Sequence, residues 1–169
     1  MLAIRYGDSM LTFDPATHAD TDAIADLIVS IQREEFGLPI TRDDQPDLAD
    51  IDGYYRTGQG DFWVARQRGR IVGTIALKDI GGGIGALRKM FVHRDWRGIR
   101  PSVAAGLLDV LEQTARKRGF GSLYLGTTAR FLAAHRFYEK HGFTVVDPER
   151  LPAMFPRMAV DTRFYRRDL

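Results

Sequence analysis

Residues of a type and spacing suited to chemistry fall in three places. The first is Phe137-Tyr138-Glu139-Lys140-His141-Gly142-Phe143, a helical run closed by glycine with a tyrosine near its end. A phenol stays protonated at neutral pH yet can hand its proton to a thiolate forming beside it, which makes Tyr138 a candidate general acid. The plainer reading is an aromatic of an amphipathic core helix. The second is Arg97-Gly98-Ile99-Arg100-Pro101-Ser102-Val103-Ala104, where an Arg-Gly turn leads through small residues into a helix. Amides at a helix N-terminus attract anions, and a diphosphate needs several of them converging past small side chains. Ordinary capping is the competing explanation. The third is Glu35. Ile24, Leu27, Ile28 and Ile31 share one helical face, and the same spacing carries Glu35 onto it while Arg33 and Glu34 point away. A carboxylate on an apolar stripe is either a candidate base or a paired, half-buried acid.

Composition removes other chemistries. The 169 residues include no cysteine, which excludes disulfides, thiolate metal sites and a cysteine nucleophile. His18, His93, His135 and His141 lack close ligand spacing with carboxylates, so no metal is expected. There is no P-loop or dinucleotide glycine signature, and no serine sits in a nucleophile-elbow context. Lys and Arg total 24 against 22 Asp and Glu, with the signs interspersed, which gives no reason to expect nucleic acid. No segment approaches the ~18 apolar residues of a membrane helix, and no signal-peptide pattern opens the chain. The expectation is a soluble, cytoplasmic protein of one domain over 1–169, hiding ~70% of its extended-chain surface on folding.

The elements that must position these residues alternate between strand and helix. The first eight or so residues are hard to place, and Met10 to Asp14 reads as a short strand broken by Pro15. Asp20-Thr21-Asp22 supplies caps for the first helix, which Gly37 and Pro39 end. Pro46 starts a second helix through Tyr54 and Tyr55. Phe62 to Ala65, Ile71 to Ile80 and Leu87 to Val92 are strands, with a glycine-rich loop before the last. Leu87, Met90 and Val92 cannot share a face under strict alternation. Either a β-bulge lies between Leu87 and Met90, or the strand is buried on both faces. Ser102 to Arg118 is an amphipathic helix with basic residues in its last turn, Ser122 to Leu125 a strand, and Arg130 to His141 a helix. Thr144 to Val146 is a strand, a proline-rich loop follows, and Met158 to Tyr165 is a last strand.

The stretch from Met90 to Phe143 resembles the cofactor half of the GNAT superfamily of acyl-CoA-dependent N-acetyltransferases. Phe137 to Phe143 matches the family's Tyr-Glu-Lys-x-Gly-Phe helix end at every position. The loop departs from R/Q-x-x-G-x-G/A: counted from Arg97, the glycine positions are Arg100 and Ser102; counted back from Leu107-Leu108, they are Ser102 and Ala104. The resemblance implies a single α/β domain, its central mixed, mostly antiparallel sheet splayed into a V and flanked by about four helices. It implies acetyl-CoA as acyl donor and Tyr138 as general acid toward the coenzyme A thiolate. Cofactor contacts are then expected from Met90, Phe91 and Val92, from Arg97, Gly98, Ile99, Arg100, Ser102, Val103 and Ala104, and from Phe131 and His135. Phe131 stands where the family often has asparagine, and that asparagine's role is not carried over. His135 either tunes the Tyr138 hydroxyl or packs. Glu35 borders the acceptor side and is the first candidate base, with a held water or a neutral incoming amine as alternatives. The acceptor is a small-molecule or protein amine, and a homodimer through the tail and last strand is implied by analogy. The acidic run Asp43, Asp44, Asp47, Asp50 and Asp52 either favours a cationic acceptor through its field or is a solvated loop. Tyr54, Tyr55, Phe62 and Trp63 line an acceptor pocket or belong to the core. A non-catalytic acyl-CoA-binding sensor is the competing function.

Overall fold

The computed structural model describes residues 2–6 and 9–169. Its strands are β1 (Leu2–Tyr6), β2 (Ser9–Pro15), β3 (Asp61–Gln67), β4 (Arg70–Asp79), β5 (Ile84–Val92), β6 (Ser122–Thr127), β7 (Thr144–Val146) and β8 (Arg163–Asp168). Its helices are α1 (Thr21–Ser30), α2 (Pro46–Ala49), α3 (Ile51–Tyr55), α4 (Val103–Lys117) and α5 (Leu132–Lys140). One sheet runs in the order β1-β2-β3-β4-β5-β6-β8-β7. Every neighbouring pair is antiparallel except β5 and β6.

Core residues separate onto the two faces. Phe13, Val72, Ile75, Leu107, Leu111 and Tyr138 belong to the cluster under α4 and α5. Ile24, Ile28, Leu48, Tyr55, Phe62 and Val64 form the other, under α1 to α3. Gly106 lets α4 come close to the sheet, because a Cβ there would lie 2.2 Å from the Phe13 ring. Tyr55, Phe62 and Trp63 are core residues, as the duller of the two sequence readings has it.

Three expectations about elements change. The helix begun at Pro46 is two, α2 and α3, because Asp50 leaves helical geometry and caps α3 by accepting from the Gly53 amide. The N-terminal residues form β1, a strand paired with β2, because Leu2 and Ile4 can pack against the cluster on the α4 side. The last strand begins at Arg163, since Asp161 folds Met158–Asp161 into a turn by accepting from the Met158 amide at 3.0 Å and donating its own amide to the Met158 carbonyl at 3.1 Å. β8 is inserted between β6, which pairs along its whole length, and β7, which pairs with Phe164 to Arg166.

The opening in the sheet has two local causes. β5 and β6 pair only from Ile84 to Ala86 and from Ser122 to Tyr124, then diverge. On its other side β5 carries a bulge: Thr74 pairs with Phe91 but Ala76 with Arg88, so one residue of β5 is extra. Lys89 holds the left-handed φ of 51° there, and Thr74 Oγ1 donates to its carbonyl at 2.7 Å. The bulge therefore lies between Leu87 and Met90, and it turns Leu87, Met90 and Val92 to the α4 side.

Candidate functional site

The divergence of β5 and β6 leaves one cleft on each side of β5, and the two meet at Met90, Phe91, Phe131, Ala134 and Tyr138. The larger, about 480 Å³, lies toward the start of α4; the smaller, about 110 Å³, lies toward the end of α1.

The larger cleft is assembled from neighbours in sequence. Met90, Phe91 and Val92 give one wall, Phe131 and Tyr138 another, and Arg97, Gly98, Ser102 and Ala104 the floor toward α4. Ser102 is the N-cap of α4, and its Oγ accepts from the Ala105 amide at 3.2 Å. That leaves the Val103 and Ala104 amides of the first turn without intrahelical acceptors, at the positive end of a fifteen-residue helix. Gly98 has φ 69°, a conformation that keeps the loop beside it free of a Cβ. Arg97 is anchored through Nε to the Val92 carbonyl at 2.8 Å.

Four expected cofactor residues have side chains elsewhere. Arg100 is exposed, Ile99 packs partly buried against the core, and Val103 is a core residue. His135 is buried; its Nε2 lies 2.8 Å from the Thr128 carbonyl and its ring lies beside Tyr165, so it packs rather than facing either cleft.

Tyr138 sits where the clefts join. Its ring is packed among Phe137, Phe143 and Tyr165, and only 6% of the residue is exposed. Among the described residues the hydroxyl reaches only the Met90 sulfur, at 3.6 Å, a weak acceptor. Burial, with a smaller contribution from Tyr165, raises its pKa well above the usual phenol value. The group is a protonated donor at any physiological pH.

Glu35 does not point inward. Residues Ile31–Glu35 form a π-turn, whose wider winding puts Gln32 rather than Glu35 under the sheet. Glu35 instead pairs with Arg97 across 2.6 Å at the surface, and it lines neither cleft. The next residue, Phe36, packs edge-on against Phe131 at 4.2 Å, and its carbonyl accepts from Arg130. The segment after α1 is thus tied to the floor and to one wall of the larger cleft.

The smaller cleft draws on segments far apart in the chain. Gln32, Arg88, Lys89, Thr127, Thr128 and Asp161 are polar residues of its lining beside Tyr138, and the proline-rich segment supplies Phe155, Pro156 and Met158. Because of the bulge, Arg88 and Lys89 both face this side. Lys89 is buried and spent: its Nζ donates to Gln45 Oε1 at 2.6 Å and lies 3.4 Å from Asp47. Gln45 and Gln32 join in two hydrogen bonds, at 2.8 and 3.1 Å, and Asp47 also accepts from the Tyr55 hydroxyl at 2.5 Å. Desolvation lowers the Lys89 pKa, with the Arg88 charge acting the same way and Asp47 opposing. Arg88 donates to the Tyr54 hydroxyl at 2.6 Å and lies over that ring. Burial raises the Asp161 carboxyl pKa, against the Met158 amide and the charges of Arg88 and Arg157.

None of Asp43, Asp44, Asp47, Asp50 and Asp52 lines this cleft. Asp47 pairs with Lys89 and accepts from Tyr55, Asp52 pairs with Arg56, and Asp44 and Asp50 accept from Thr41 and the Gly53 amide. The sequence signal that could have exposed the real polar set is the adjacent pair Arg88-Lys89 inside an apolar strand. Two cations there demand buried partners or a ligand.

Comparison with known proteins accords with this geometry. A family model described as "Acetyltransferase (GNAT) family" matches residues 25–143. The N-acetylaspartate synthetase of Xenopus tropicalis is 33% identical over 129 residues, covering 71% of this chain and 47% of that protein. An uncharacterised N-acetyltransferase of Schizosaccharomyces pombe is 30% identical over 72% of this chain and 76% of its own. The chain spans about half or less of the N-acetylaspartate synthetases it matches. Among solved structures, an acetyltransferase of the GNAT family from Staphylococcus aureus Mu50 superimposes with a TM-score of 0.89 at 35% identity, covering 94% of this chain and 98% of that one. The PaiA N-acetyltransferase of Thermoplasma acidophilum in complex with coenzyme A shares the fold at a TM-score of 0.69 and 15% identity, covering 94% and 99%. Among the described residues no helix is long and apolar enough to cross a membrane.

Proposed function

The chain belongs to the acetyltransferase (GNAT) family, and from that premise we propose that it is an N-acetyltransferase moving an acetyl group from acetyl-CoA to a primary amine, with Tyr138 as general acid. The observation that carries the reading is the Tyr138 hydroxyl, buried, protonated and weakly engaged at the junction of two clefts.

The larger cleft suits the acyl donor. It has the greater volume, small residues at Ser102 and Ala104, two first-turn amides for phosphate oxygens, and Arg97 beside them. Acetyl-CoA, the acetylated form of the coenzyme A found with the Thermoplasma acidophilum protein, would supply an activated thioester when bound. Arg97 and the amides of Val103 and Ala104 hold the diphosphate. Met90, Phe91 and Phe131 flank the acyl end and exclude water from it.

The amine enters from the smaller cleft. Its nitrogen forms a bond to the acetyl carbon as the carbon–sulfur bond breaks. Tyr138 gives its proton to the departing sulfur, and the proton shed by the amine restores the phenol through solvent. With its pKa raised by burial, the phenol arrives protonated and cannot act as the base. Glu35, held by Arg97, braces the loop and is not placed to take the amine's proton.

A ligand that binds only the folded protein stabilises it by about 2.7 kcal/mol at a hundredfold excess over Kd. Acetyl-CoA should therefore raise Tm measurably, and a panel of amines should release free thiol. No thermal shift and no calorimetric binding would remove the cofactor assignment. Binding without thiol release would favour an acyl-CoA sensor.

A further inference from the structure

We infer that the acceptor is a small zwitterion of amino-acid type, its carboxylate received by Arg88 and its ammonium by Asp161. The inference rests on the acetyl-transfer reading above for the identity of the cleft, and on three observations of its polar lining.

The first is the difference between the two adjacent cations. Lys89 is closed off by Asp47 and Gln45, so it has no demand for a ligand. Arg88 lines the same cleft, half-buried, and among the described residues only the Tyr54 hydroxyl accepts from it. A guanidinium has five N–H donors in a planar fork suited to a carboxylate. Tyr54 fixes the plane of that fork through one hydrogen bond and the ring beneath it. A half-buried cation without an ion-pair partner is costly unless something anionic visits it.

The second is Asp161. It lines the cleft and feels the Arg88 charge, yet forms no ion pair with Arg88 within 4 Å among the described residues. Its Oδ2 is turned to the Met158 amide, which fixes the carboxylate in place. Opposite charges that face one space without meeting are the complement of a molecule carrying both. A diamine would meet Arg88 with like charge, and a peptide N-terminus would bring no carboxylate.

The third is Thr127, also in the lining. It is 5% exposed, and its Oγ1 is buried with no hydrogen-bond partner among the described residues. A buried hydroxyl left unpaired in the lining of the same cleft points to a ligand oxygen that completes it.

The test is a calorimetric titration of the protein, with and without coenzyme A, using a panel of L-amino acids, their α-amides and 1,4-diaminobutane. At least one amino acid should bind, with its amide weaker by roughly tenfold to a hundredfold, the worth of a hydrogen bond to a charged group. Arg88→Gln should erase that acid-to-amide ratio while the affinity for coenzyme A holds. Asp161→Asn should weaken acid and amide alike and leave the ratio intact, so it decides the matter even if Arg88→Gln does not fold. The inference falls if no amino acid binds, if amides bind as well as acids, or if the diamine binds best. Thiol release is read separately: transfer to the diamine alone sinks the acceptor class but keeps acetyl transfer, whereas amino-acid binding without thiol release does the reverse.

Discussion

The two clefts on either side of β5 are built in opposite ways. The larger is made mostly from a continuous run, Met90 to Tyr138, and its working groups are backbone amides, small residues and one phenol. The smaller gathers Gln32, Arg88, Thr127 and Asp161 from four separate segments, its working groups are charged side chains, and a fifth segment, with Gln45 and Asp47, occupies the adjacent Lys89. A donor of constant chemistry can be served by a local motif. An acceptor is selected by whatever distant residues the fold brings to the other side.

The sharpest way to break this contrast is at the shared point. Tyr138→Phe keeps the ring and most of its packing but removes the proton, so turnover under chemistry-limited conditions should fall by about 10²–10⁴-fold. The affinity for acetyl-CoA, measured by calorimetry, should hold, because the loop is untouched. A folded variant turning over at the wild-type rate would reduce Tyr138 to a core residue.

Next in size is the support of the smaller cleft. Asp47→Ala leaves the Lys89 ammonium and the Tyr55 hydroxyl buried without their carboxylate. Removing one partner of a buried ion pair costs about 3–5 kcal/mol, which chemical denaturation would register directly. A loss under about 1 kcal/mol, the scale of a surface pair, would mean that water reaches Lys89 freely.

A pH profile separates the clefts again. Burial raises the Asp161 pKa, so the folded state holds its proton at a pH where the unfolded chain has released it. Stability should therefore fall as pH rises from the ordinary carboxylate value through the raised one. Over the same interval the ionised form needed by an ammonium appears. The acid limb of kcat/KM for the acceptor should lie above the ordinary carboxylate range and disappear in Asp161→Asn. The acetyl-CoA Kd should not follow that limb.

The smallest effect is expected at Glu35. Its partner Arg97 is 40% exposed at the side chain, and such pairs are worth roughly 0.2–1 kcal/mol. Glu35→Gln should leave turnover within about tenfold, less than a general base contributes. A larger fall in turnover with normal cofactor binding would return Glu35 to the role of base.

Legibility followed sequence distance. The helix that carries Tyr138, the Arg-Gly turn leading into α4 and, as one of two readings of β5, the bulge near Lys89 were legible as local structure because each depends on a few consecutive residues. The extrapolation to Glu35 failed at Ile31–Glu35, where one wider turn of helix rotates every later side chain. Of the acidic run, Asp44, Asp50 and Asp52 find partners three or four residues away, whereas the pairing of Asp47 with Lys89 could not be read from its own segment.

By itself the sequence determined the alternation of elements, the family resemblance and the presence of a helix-borne phenol after an amide-rich loop, since these arise from local periodicity, capping and turn chemistry. Only the tertiary structure decided which charges meet. Arg88 and Lys89 are neighbours in the chain, yet one is neutralised by Asp47, 42 positions earlier, while the other is left facing Asp161 across a cleft. Ion pairing acts through space, and the bulge that turns both cations to one side gains its meaning from the helices and the tail that close over it.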